Sequence, residues 1–180
     1  MQENLEVRER ILTVATTLFH RQGYNETGIN QIIKEANVAK ASLYYHFATK
    51  DDLCIAYLKR RHEVWNDTLQ EFIRDKEDKI LAVFDFLMED NEQCNYRGCS
   101  FLNLLPEVPP GKKEMLSEVQ EHKKGVLAFF EAEIKGSDPD LPFTVYSLFE
   151  NAIIESQLFQ SQEPVLRLKR IVVSLLRANG

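Results

Sequence analysis

Residues 27–50, TGINQIIKEANVAKASLYYHFATK, place two short helical segments around a tight turn. Ile29, Ile32, Ile33 and Ala36 recur at helical spacing and form one apolar face. Asn37 follows, and Asn tolerates the left-handed conformation that a tight turn needs. The next segment, Ala39 to Phe47, is too short to be a stable helix in isolation. It has to be held by packing, and Leu43 and Phe47, four residues apart, are its anchors. The spacing expects Thr27 to cap the first helix, and Thr49 to cap a third with Asp52 in the capping-box position.

With Leu43 and Phe47 turned inward, Lys40, Ala41, Ser42, Tyr44, Tyr45 and His46 turn largely outward. Small residues let a helix sit deep in a groove. Ser, Tyr and His supply hydrogen-bonding groups, and Lys40 and Lys50 supply charge for phosphates. Thr27 and the amides at the start of its helix offer a further phosphate site. The bland alternative is a helical hairpin bearing an aromatic cluster. Two adjacent exposed tyrosines followed by His favour nucleic acid.

Ile11 to Leu53 closely resembles the DNA-binding domain of the TetR family of bacterial transcriptional repressors. The resemblance rests on Ala15, Leu18, Phe19, Gly23, Thr27, Ile32, Ala36, Val38, Leu43, Tyr44, Phe47, Lys50 and Leu53. It covers about a quarter of the chain. It implies that Thr27, Lys40, Ala41, Ser42, Tyr44, Tyr45, His46 and Lys50 contact DNA. Many members carry Gly where this chain has Ala41. The residues that choose the operator vary within the family, so its sequence does not carry over.

The net charge of −6 looks wrong for a DNA-binding protein until it is divided. Residues 1–50 hold six Lys or Arg against five acids; residues 51–180 hold 16 against 23. The acid therefore lies outside the reading head, which limits non-specific binding and favours a few placed contacts. No apolar run approaches a membrane span, and no basic-then-apolar leader precedes the first helix, so a cytoplasmic protein is expected. Cys54, Cys94 and Cys99 are odd in number and ungrouped, which reads as reduced thiols.

No stretch alternates with period two, so an all-α fold is expected. Residues 1–50 are expected to form a three-helix helix-turn-helix domain, and residues 51–180 a helical effector-binding and dimerisation domain. The first helix, about Leu5 to Arg21, carries Val7, Ile11, Leu12, Ala15, Leu18 and Phe19 on one stripe and ends before Gly23. Periodic runs mark further helices through Leu53–Phe72, Ile80–Met88 and Met115–Ile134. Between the last two, residues 91–111 are broken by Pro106, Pro109 and Pro110. Within them, Gly98, Cys99 and Asn103 resemble a Gly-Cys-x-x-x-Asn stretch in the ligand domain of many TetR members.

The last two helices, Phe143 to Phe159 and Glu163 to about Ala178, are apolar on more than one face. A surface helix needs a single stripe. Either they are central to the monomer or they form a subunit interface. The interface is favoured, with Leu148, Ala152, Ile153, Leu168, Val172 and Leu175 in it. A two-fold dimer would suit a palindromic operator, and the resemblance implies the same dimer.

An effector site would draw on Trp65, Phe84, Tyr96, Phe101, Asn103, Phe130, Tyr146 and Phe149, with Phe129 and Glu107 as neighbours. Aromatics at helical spacing are more often core, and that reading stands beside it. The ligand expected is small, hydrophobic, and neutral or cationic. Cys94 and Cys99 form either a redox pair or a surface thiol and a small core hydrophobe. A reactive thiol needs nearby positive charge, and only Arg97 is close in sequence. His62 and His122 lack metal-ligand spacing, and no phosphate loop, nucleophile elbow or paired-carboxylate motif is present. Neither metal, cofactor nor enzymatic activity is expected. Three functions stay open: an effector-released repressor, a DNA-binding adaptor recruiting another protein, and a helical carrier or enzyme.

Overall fold

The computed structural model describes residues 2–136 and 138–179. Among the described residues there are nine α-helices and no strand. They divide into two compact units. The first comprises residues 1–63 and 100–120, the second residues 64–99 and 121–180. This compact grouping differs from the division by role at residues 50 and 51, because it takes residues 100–120 together with the N-terminal helices.

In the first unit, α1 (Gln2–Gln22), α2 (Ile29–Ala36) and α3 (Lys40–His46) pack on one another. Gly23 ends α1 at φ +90°, a conformation open to glycine at little cost. Asn37 ends α2 in the left-handed region, as its amide chemistry predicts. α4 (Lys50–Ile73) opens with a true capping box: the Asp52 amide donates to Thr49 Oγ1 at 3.0 Å, and the Thr49 amide donates to Asp52 Oδ2 at 2.9 Å. α6 (Ser100–Leu104) leads into a single 3₁₀ turn, Leu105–Glu107. α7 (Lys113–Glu133) begins in this unit with Met115 and Val119 buried.

In the second unit, α5 (Lys79–Gln93), α8 (Leu141–Phe159) and α9 (Glu163–Asn179) pack mutually, with α8 against α9 the most extensive pairing. Asp78 caps α5 through the Leu81 amide at 2.9 Å. Phe149 of α8 lies edge-on to Phe84 of α5 at 5.4 Å and beside Phe130 of α7 at 5.7 Å. All three rings are buried.

That packing corrects part of the interface expectation. Ala152, Ile153 and Val172 are buried within the protomer, and Leu148, Leu168 and Leu175 are half-buried. The second apolar face of α8 and α9 is taken up because each packs on the other and on α5. The large apolar groups left outside are different ones: Phe143, Ile154, Leu158 and Phe159 on α8, and Leu166 and Ile171 on α9.

Candidate nucleic-acid interface

α3 has seven residues and survives by anchoring, as its sequence requires. Leu43 is fully buried and Phe47 is 4% exposed. The Arg8 guanidinium covers the Phe47 ring at 5.1 Å. With that face fixed, Lys40, Ala41, Tyr44 and Tyr45 are exposed, and Ser42 and His46 are half-exposed. Tyr45 is 74% exposed and meets His46 edge-on at 5.1 Å. Burying a phenol in a partner would recover apolar area that the folded chain leaves in water.

Both helices of the motif begin without a side-chain cap. Gly28 precedes α2 and Ala39 precedes α3, and neither supplies a capping hydrogen bond. Their first-turn amides carry the positive end of the helix dipole and suit an outside anion.

Two expected contacts sit differently. Thr27 does not cap α2; it is fully buried, and its hydroxyl donates to the Gly23 carbonyl at 2.6 Å. Gly28 takes the cap position instead, and the Thr27 hydroxyl closes the turn between α1 and α2. Lys50 is half-buried, with its ammonium 4.1 Å above the Tyr24 ring. Burial pulls its pKa down, although Cys54 and then the neighbouring carboxylates of Glu107, Asp51 and Glu26 oppose the shift. A Lys held against an aromatic face supports the scaffold before it meets any phosphate.

Tyr24 is the residue that sequence reasoning missed. It is buried, stacks on Phe19 at 5.9 Å and donates its hydroxyl to Asp51. Lys112 reaches the same carboxylate at 2.5 Å. The hydrogen bonds from Lys112 and then Tyr24 hold the Asp51 carboxyl below its usual range. Burial, followed by the bond to Asp51, pushes the Tyr24 phenol far up. Glu107 completes the arrangement: its carboxylate accepts from the Asn25 amide at 2.6 Å and fills the space beside Gly23. The available signal was an aromatic directly after the helix-ending glycine, where a side chain must either pack or be exposed.

The expected effector residues fall in both compact units. Phe101 and Asn103 belong to the first; Trp65, Phe84, Tyr96, Phe130, Tyr146 and Phe149 belong to the second. In the first, Asn103 and Glu107 line a small cleft with His20, Tyr24 and Tyr57. In the second, Trp65 meets the edges of Phe86 and His122. Among the described residues no cluster of metal-binding side chains occurs, and no helix is long and apolar enough to cross a membrane.

Residues 11–57 match the family model for bacterial regulatory proteins of the tetR family. The chain is 24% identical to the HTH-type transcriptional repressor NemR of Escherichia coli K12, over 89% of this chain and 88% of that one. It is 29% identical to the HTH-type transcriptional regulator LmrA of Bacillus subtilis, over 94% and 96% of the two chains. A TetR-family transcriptional regulator from Streptomyces coelicolor superposes with a TM-score of 0.81 at 26% identity, covering 97% of this chain and 96% of the other.

Proposed function

The chain belongs to the TetR family of bacterial regulatory proteins, and from that premise we propose a homodimeric repressor of a palindromic operator, released by a small effector. The coarser function, DNA-binding transcriptional regulation, comes with the family. The observation that carries the finer reading is the exposed edge of α3. Lys40, Ala41, Tyr44 and Tyr45 stand in solvent on a helix whose Leu43 and Phe47 are locked into the head. Ser42 and His46 flank them, and α2 and α3 both start without a side-chain cap. Thr27 and Lys50 act as supports. The division by role remains residues 1–50 for reading DNA and 51–180 for dimerisation and regulation. Two heads on a two-fold axis would read half-sites about one helical turn apart.

The test is titration of the purified protein onto duplex from its own upstream region, across a salt series. Lys40→Ala is expected to lower the salt slope by about one and weaken all sequences alike. Tyr45→Ala is expected to weaken binding without changing the melting temperature. Equal affinity for wild type and both variants would sink the contact assignment. A small-molecule panel in the same assay tests release.

One observation favours an adaptor as the second reading. Phe84, Phe130 and Phe149, three of the expected pocket residues, are buried against one another. A core filled in this way suits a body that recruits a protein rather than one that admits a ligand at those rings.

A further inference from the structure

The side chains of α3 narrow what it can read. Lys40–His46 includes no Arg, Asn, Gln, Asp or Glu. Those side chains make the directional hydrogen bonds to guanine, adenine and cytosine edges in the major groove. Lys40 keeps a charged donor, but it does not stand at the crest of the helix. At 3.6 residues per turn, Ala41, Ser42 and Tyr45 point away from the buried Leu43–Phe47 seam. Lys40 and Tyr44 stand on one flank and His46 on the other. Exposure agrees: Tyr45 is 74% exposed against 43% for Tyr44, and Ala41 is exposed.

The crest is apolar at two neighbouring points. Ala41 and Tyr45 are four residues apart, which sets their Cβ atoms about 5–6 Å from one another. The Tyr45 ring stands edge-on to His46 at 5.1 Å, and Leu43 and Phe47, with Arg8 over the Phe47 ring, fix the face that turns outward. A methyl group has nothing to donate or accept. It gains only by leaving water against another apolar group. Phosphate oxygens offer none, and the base edges of the major groove offer one, the C5-methyl of thymine.

We propose that Ala41 and the Tyr45 ring together read the C5-methyl of a thymine, so that each operator half-site carries a thymine where the crest of α3 reaches. This rests on the DNA-binding reading above and names what that surface selects. Ser42, beside Ala41, carries a hydroxyl able to donate to O4 of the same base. Lys40 and Tyr44, on the flank, serve the phosphates.

Uracil pairs with adenine as thymine does and lacks only the methyl. The experiment amplifies the protein's own upstream duplex from a labelled primer with dTTP or with dUTP, and titrates the full chain onto both at one salt concentration. Binding is followed by anisotropy. Wild type should bind the uracil duplex about fifteenfold more weakly, from about fourfold for each buried methyl over two half-sites. Ala41→Gly and Tyr45→Ala should each cut that ratio to about fourfold or less. Tyr45→Phe, which keeps the ring, should retain the full ratio. Lys40→Ala should weaken both duplexes alike and leave the ratio unchanged. Glycine weakens a helix, so a melting curve accompanies Ala41→Gly, and Tyr45→Ala carries the comparison if α3 frays. Single deoxyuridines placed through the footprint should then locate one sensitive thymine in each half-site.

Equal wild-type affinity for the two duplexes overturns the thymine reading and leaves DNA binding standing. An undiminished ratio in both Ala41→Gly and Tyr45→Ala overturns the assignment to these two residues. Sensitivity spread evenly over every thymine overturns the single contact. Failure to bind either duplex overturns the regulator reading, and this one with it.

Discussion

At Asn37, in the turn between α2 and α3, the backbone sits at φ 50° and ψ 56°, the left-handed region. Its amide donates to the Lys34 carbonyl at 3.3 Å, and the following amide of Val38 donates to Ile33 at 3.2 Å. Asn37→Gly should therefore be nearly neutral, whereas Asn37→Val should cost about 1–2 kcal/mol in urea denaturation. A second residue-scale effect concerns protons. Burial, then the Asp51 charge, pushes the Cys54 thiol up to about 12, and Tyr24 is raised as well. Both groups are neutral when protonated, so the folded chain keeps its protons longer than the unfolded one. Their contribution is complete below the unfolded values, about 8.5 for Cys and 10 for Tyr. It is lost as pH rises through the folded values, at about 1.4 kcal/mol per pH unit for each group. Urea melts under reductant from pH 8 to 11 should show falling stability, and Cys54→Ala should delay the fall to near pH 10.

Among the elements, α3 and α4 show opposite ways of starting a helix. α4 begins with its own cap, Thr49 and Asp52 bonded reciprocally. α3 begins after Ala39, which supplies no side-chain cap, in a motif whose next neighbour is proposed to be a phosphate. Thr49→Ala should cost about 1 kcal/mol of stability, readable by chemical denaturation, because it leaves first-turn amides unpaired. The same logic explains an element that sequence reading placed wrongly at its first residue. Thr27-Gly28 offers two cap residues in a row, and the Thr hydroxyl went to the Gly23 carbonyl instead. A hydroxyl can serve a local turn or a helix start, and sequence spacing does not distinguish the two uses.

For the whole molecule, the apolar residues left in solvent carry the prediction. Leu158 and Phe159 are 66% and 62% exposed, and Ile154, Leu166 and Ile171 are exposed beside them in α8 and α9. A pair of helices that still shows this much apolar surface after packing on its neighbours fits a second copy of the chain. Leu158→Glu should shift sedimentation from dimer to monomer while leaving the melt of the head unchanged. A dimer that persists in Leu158→Glu and in Ile154→Glu would place the interface elsewhere.

Local chemistry was sufficient for the helices, for the left-handed turn at Asn37, for the capping box at Thr49 and for the inward pair Leu43 and Phe47. Each depends on residues within about four positions, which is the range over which helical periodicity and capping act. Long-range partners were another matter. Sequence spacing gave no sign that Lys112 and Glu107 would reach Asp51 and Asn25, or that Tyr24 would carry Lys50. Nor could it assign Ala152, Ile153 and Val172 to the protomer rather than to its partner, because an apolar face does not name what covers it. Only the tertiary structure set Lys123 beside Cys99, since contact between charges depends on distance through space.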